Sequence, residues 1–164
     1  MSTTTQQSGT RSIITTPGER EIRIERIFNA PRARVWRAFT EADQVKQWWG
    51  RGNDLEIVRL EVEPGGHWRF IEHGPDGDHG FEGRYGDVVP EQRLVMTFEW
   101  DGMPAHVSLD TMEFEDLGDG RTKIVSTSVF LSQEDRDGML QSGMEEGLEQ
   151  SYAALDRLLA RQER

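Results

Sequence analysis

Residues 132 to 162 set the strongest constraint on the fold. Leu140, Met144, Leu148, Tyr152, Leu155 and Leu159 recur at spacings of four, four, four, three and four, the period of one helical face. Ser132 with Asp135 makes a capping box at the start. The spacing predicts a single helix to about residue 162, roughly 45 Å long at about 1.5 Å per residue. Its apolar stripe needs a cover. Gly138, Gly143 and Gly147 lie in the first half, each costing up to about 1 kcal/mol of helix propensity. That half is therefore expected to bend, to start late or to leave room beside the stripe.

The cover comes from strands. From Glu21, EIRIERIF sets Ile22, Ile24 and Phe28 in alternation with charged neighbours, as in a strand with one buried face. Pro31 then suits a helix start, and Val35, Trp36 and Phe39 follow at helical spacing to about residue 40. Thr40 with Asp43 resembles a second capping box, and Ala42, Val45 and the Trp48–Trp49 pair carry another short helix to Gly50. Strand patterns follow as LEIVRLEVE, HWRFIEH, FEGRYGDVV, RLVMTFEW, HVSLDTMEFED and TKIVSTSVF, punctuated by Pro64–Gly65–Gly66, the polar loop GPDGDHG, Pro90 and GDGR. This order is met by an α+β fold, a curved antiparallel sheet wrapped around the final helix, with two short helices after the first strand. A strongly bent sheet cannot touch a straight helix along its whole length, so a space is expected between them, closed at one end by the short helices.

One domain is expected over residues 20 to 162, large enough for a real core. Residues 1 to 19 read as a disordered polar tail rather than a signal or an anchor. Nineteen basic against thirty acidic side chains, a net charge of −11, repel nucleic acid and anionic membranes. No apolar run approaches the ~20 residues of a membrane helix. The absence of cysteine removes disulfides, thiolate metal sites and cysteine nucleophiles, and fits a cytoplasmic setting. His67, His73, His79 and His106 show neither His-x-x-x-His nor His-Glu-x-x-His spacing, so no metal or other cofactor is expected.

The segments EIRIERIFNAPRARVWRAFTEADQVKQWWG, VEPGGHWRF, GRYGDVVPEQRLVMTFEW and GMEEGLEQSYAALDRLLA, in this order, resemble the activator of heat-shock protein 90 ATPase homologue family. That family belongs to the START-like, birch-pollen-allergen-like (SRPBCC) superfamily. The resemblance covers about residues 20 to 162 and implies the helix-grip fold, with a cavity between sheet and long helix that receives small, mostly apolar molecules. Members of the superfamily carry lipids, sterols or hormones, cyclise polyketides or sequester antibiotics, so fold alone leaves function open. The eukaryotic co-chaperone of the family has an additional amino-terminal domain that makes much of its chaperone contact and that this sequence does not show. Ligand binding is therefore expected ahead of co-chaperone activity.

Helical neighbours point about 100° apart, so Trp48 and Trp49 serve different surfaces. One is expected to pack the short helix onto the sheet and the other to stand at the cavity mouth, although both also suit core or rim packing. Trp68 and Phe70 share one face of their strand, and His67 and Arg69 the other. The aromatic face is expected inward, since a buried Arg69 would need a carboxylate. Tyr85, Met96, Phe98, Met112, Phe114, Met144, Leu148 and Tyr152 complete the expected lining, while plain core packing uses the same residue types.

No Gly-x-Ser-x-Gly elbow occurs, and Ser142 reads as an ordinary helix residue. Acid–base chemistry would need Glu82, Arg84, Tyr85, Asp87, Asp110 or Glu113 turned inward with a shifted pKa, whereas strand charges are more commonly solvated. No catalytic residue is assigned, and the chain reads as a binder rather than an enzyme. Three functions follow: a module for a small hydrophobic or amphipathic ligand, a co-chaperone-type interaction protein stimulating a chaperone ATPase, and a polyketide cyclase-like enzyme. The partner expected is a small apolar ligand, with a heat-shock protein 90 type chaperone second, and the chain a monomer or homodimer.

Overall fold

The structure, a computed structural model, describes residues 11 to 162. Ile13–Thr15 (β1) pairs antiparallel with Glu21–Phe28 (β2), Ile14 facing Ile24. β1 lies within the stretch expected to be a disordered tail, where its main chain extends the sheet edge, and residues 1 to 10 of that tail lie outside the described residues. The chain continues through α1 (Arg32–Thr40) and α2 (Ala42–Val45) to β3 (Asp54–Leu60), β4 (His67–Gly74), β5 (Gly77–Val89), β6 (Arg93–Trp100), β7 (Ser108–Asp116) and β8 (Thr122–Val129). Two helices close it, α3 (Gln133–Gln141) and α4 (Met144–Gln162).

The eight strands form one antiparallel sheet in the order β1-β2-β8-β7-β6-β5-β4-β3. Hairpins supply every junction from β3 to β8, while β8 returns to pair with β2. The α1–α2 segment therefore carries the chain from β2 to the far edge of the sheet. Register shifts between Ile57 and Arg59 and between Tyr85 and Val88 add the local twist that bends such a sheet. The result is the helix-grip arrangement, a curved open sheet holding a long C-terminal helix.

Three local expectations are corrected. GPDGDHG is not a loop: Gly74 pairs with Gly77, so only Pro75 and Asp76 turn, and His79 belongs to β5. The His73 ring bridges Asp78 at 2.8 Å and Glu56 at 3.1 Å, and those two carboxylates, Asp78 foremost, raise its pKa. Thr40 does not cap α2. It is the last residue of α1, and its hydroxyl donates back to the Trp36 carbonyl at 2.8 Å. Ser132 does cap α3, accepting from the Asp135 N–H at 3.1 Å. The predicted single C-terminal helix is broken, because Gly143 adopts φ 85°, the left-handed conformation that ends a helix.

Phe28, Val35, Ala38, Leu55, Leu94, Ile124, Leu155 and Leu159 are wholly buried and unite α1, the sheet and α4 in one core. Leu155→Ala should cost about 2–5 kcal/mol in urea unfolding. The glycines separate more finely. Gly143→Ala should cost about 1–2 kcal/mol through its positive φ, whereas Gly138→Ala, in open space within α3, should gain up to about 1 kcal/mol from propensity. Equal effects at the two positions would contradict the helix break.

Candidate functional site: the inner face of the sheet

Strand register fixes which side chains face α4. Tyr85 on β5 pairs with Met96 on β6, Met96 with Asp110 on β7, Asp110 with Ser128 on β8, and Ser128 with Ile22 on β2. Paired residues share a face, so this row crosses the concave side of five strands. One step along lie Leu94, Met112, Ser126 and Ile24, and beyond them Phe114, Ile124 and Arg26.

At that far end the interior is sealed. Tyr152 of α4 meets Phe28 edge-on at 5.1 Å and Trp48 at 6.0 Å, while Phe39 joins Trp48 to Phe114. Trp48 is buried, and its Nε1 donates to the Ala38 carbonyl at 2.8 Å, which ties the α2 turn to α1. Arg26 holds the inward phase that aliphatic residues occupy elsewhere on β2. It is 2% exposed, donates to both Asp156 oxygens of α4, and lies 4.8 Å above the Phe28 ring. Burial pushes the Tyr152 phenol up to about 12 and raises Tyr85 above its ordinary range.

Toward the β3–β5 side the face is aromatic. Trp49 is partly exposed and sits 5.1 Å from Phe81, 5.2 Å from Phe70 and 6.5 Å from Trp68. Phe98 adjoins Trp68 at 6.0 Å and Phe81 at 5.6 Å. The Trp68 indole donates to the Thr97 carbonyl at 3.1 Å across Gly83, where a Cβ would run into that same oxygen. Arg69 lies on the outer face, paired with Asp101 at 2.7 Å and Glu82 at 2.9 Å.

Between these two packed regions the inner face is incompletely covered. Met96, Asp110, Ser126 and Ser128 on the sheet remain partly exposed, as do Leu140 of α3 and Met144 and Leu148 of α4. Ser108 Oγ donates to Asp110 Oδ1 at 3.1 Å, and Ser128 is the cross-strand neighbour of Asp110. Burial raises the Asp110 pKa to about 6, against the lowering effect of those two serines. Two surface concavities lie elsewhere. One, of about 470 Å³, runs between Lys46 and His73, and the other, of about 280 Å³, lies over Arg59, Arg69 and Arg84.

The family model described as "Activator of Hsp90 ATPase homolog 1-like protein" matches residues 29–160. The chain belongs to that family. A solved protein from Rhodobacter sphaeroides is similar, with 25% identity over 92% of this chain and 99% of that one and a TM-score of 0.84. An Arthrobacter aurescens protein shows 24% identity over 91% of both chains at a TM-score of 0.82. A Mycobacterium smegmatis protein shows 21% over 90% of this chain and 97% of that one at 0.78. No match is found among curated proteins. Among the described residues, no helix is long and apolar enough to cross a membrane.

On this family scaffold the expected lining residues divide. Trp49, Trp68, Phe70 and Phe98 form one aromatic group, to which the structure adds Phe81. Trp48, Phe114 and Tyr152 belong to the sealed end, Tyr85 and Met112 are buried in the middle of the inner face, and Met96 and Leu148 pack partly exposed against the same core. Arg26 and the Asp110–Ser128 pair were legible in the alternation, the first in phase with Ile22 and Phe28 and the second with Met112 and Phe114.

Asp110 carries a pH signature. Its folded pKa lies above its unfolded one, so the native state holds the proton more tightly and stability falls as pH rises from about 4 to about 6. Comparing urea stability at pH 4.5 and 7 should show Asp110→Asn gaining about 1–3 kcal/mol on wild type across that range. A constant difference between the two proteins would refute the burial of this carboxyl.

Proposed function

We propose that this family member is a single binding domain over residues 20 to 162 that takes a small hydrophobic or amphipathic ligand between the sheet and α4, in the cytoplasm. The observation that carries the reading is the partial exposure of Met96 on the inner face and of Leu148 and Met144 on α4, alongside the partly exposed rings of Trp49, Phe81 and Phe98. Apolar side chains that face inward and stay accessible are a surface prepared for another apolar surface. Covering about 200 Å² there would contribute about 5 kcal/mol before the cost of association. Trp49, Trp68 and Phe98 border the space with rigid rings, and methionines adapt their shape to what enters.

The test is a fluorescence titration with the neutral dye N-phenyl-1-naphthylamine, alongside native mass spectrometry for species retained from the host. Saturable one-to-one binding is expected, with a change in tryptophan emission. Leu148→Trp should weaken the dye at least about tenfold by filling the space, while Leu109→Trp, on the outer face where Leu109 is 48% exposed, should leave it unchanged. Equal behaviour of the two variants, or no binding at all, would remove the reading.

A second reading rests on the family description itself, namely contact with a heat-shock protein 90 type chaperone. Addition of the protein to that chaperone from the same host would then raise ATP turnover.

A further inference from the structure

The inner face holds one carboxyl that the fold does not require. Asp110 faces inward on β7, between Ser128 and Met96 in the cross-strand row. An ionised carboxylate offers about four acceptor sites, and among the described residues only the Ser108 hydroxyl donates to this one, at 3.1 Å. Among the described residues it has no cationic partner. The other charges of the interior are matched: Glu72 accepts from Arg51 and Asn53, and Arg26 donates to Asp156. An asparagine would accept from the same serine without the cost of burying a charge, so the charge serves neither the ladder nor the core. The carboxyl is desolvated, yet its surroundings are not closed, since Asp110, Ser128 and Met96 are all partly exposed as residues.

We propose that Asp110 is the polar anchor of this inner face and that the ligand is an amphipathic amine, an apolar body carrying one protonated nitrogen that donates to the Asp110 carboxylate. The inference rests on the ligand-binding reading given above. An ammonium brings several donors to an acceptor with unfilled capacity, and hydrogen bonds between charged partners are about twice as strong as neutral ones. The remainder of the ligand lies on Met96, Met112 and Leu148. A burial-raised carboxyl pKa agrees with a site short of one cation. An alcohol would satisfy the same acceptor without the charge, and a carboxylate would bring like charge against it.

Calorimetric titration of octylamine, octanol and octanoate into the full chain at neutral pH tests this. Octylamine should bind at least about tenfold more tightly than octanol, with octanoate weakest. Asp110→Asn and Asp110→Ser should both bring octylamine to within about twofold of octanol while leaving octanol unchanged, which also reports an intact fold. Octanoate equal to octylamine in wild type, or an amine preference that survives both substitutions, overturns the anchor alone. No binding by any of the three overturns the ligand-binding reading with it.

Discussion

The grip of the sheet on α4 depends on one pinned contact, the Arg26–Asp156 pair beneath Phe28 and Tyr152. Apolar packing is non-directional, so the stripe on α4 alone would let the helix slide or rotate over the concave face. A bidentate pair with nitrogen–oxygen distances of 2.7 and 3.3 Å removes that freedom. The pair is asymmetric: the Arg26 side chain is 2% exposed and Asp156 39%. Most of the desolvation therefore falls on the cation, which the Phe28 face at 4.8 Å partly offsets. The pair contributes less to net stability than to the position of the helix, and every inner-face distance follows from that position.

The two halves of α4 are packed differently. Phe28, Leu155 and Leu159 close the pinned end completely, whereas Met96, Met144 and Leu148 retain contact with solvent. Each partly wet apolar side chain forgoes burial worth about 25 cal/mol per Å². A core selected for stability alone would recover that energy with larger side chains. Here Asp110 and Ser128 lie in one cross-strand row and Ser126 in the next, small or polar groups where a stability-driven core would place large apolar ones.

Periodicity exposed most of this architecture, and its failures have specific causes. Alternation located seven of the eight strands because turn chemistry bounded them. It passed over Arg26 and left Asp110 as one of six polar candidates for an inward turn, since a charged residue in an apolar phase looks like an interruption until a partner or a cavity is known. Thr40 and Ser132 sit in the same local pattern, yet only Ser132 caps, because Thr40 is still inside α1 and spends its hydroxyl on the Trp36 carbonyl. Gly138, Gly143 and Gly147 are equivalent by propensity, and only Gly143 has the positive φ that breaks the helix. The lining residues were recognised as apolar, but their division between sealed, aromatic and open regions depends on register across distant strands.

Gly147 shows why that division matters. In sequence it is one of three glycines that bend the helix, delay its start or leave room beside its stripe. In the fold that room is occupied: a Cβ on Gly147 would lie 2.7 Å from Arg51 Cδ. Arg51 takes φ 57°, donates its main-chain N–H to Ser151 Oγ at 3.1 Å, and sends its guanidinium to buried Glu72 at 2.8 and 3.0 Å. Asn53 adds a bond to the same carboxylate at 2.7 Å. The loop after α2 is thereby fastened to α4 and β4 at once, two residues beyond Trp49. The position of Trp49 against Phe70 and Phe81 is consequently set by a polar clasp outside the aromatic group, and the helix gives up propensity at Gly147 so that the clasp can close.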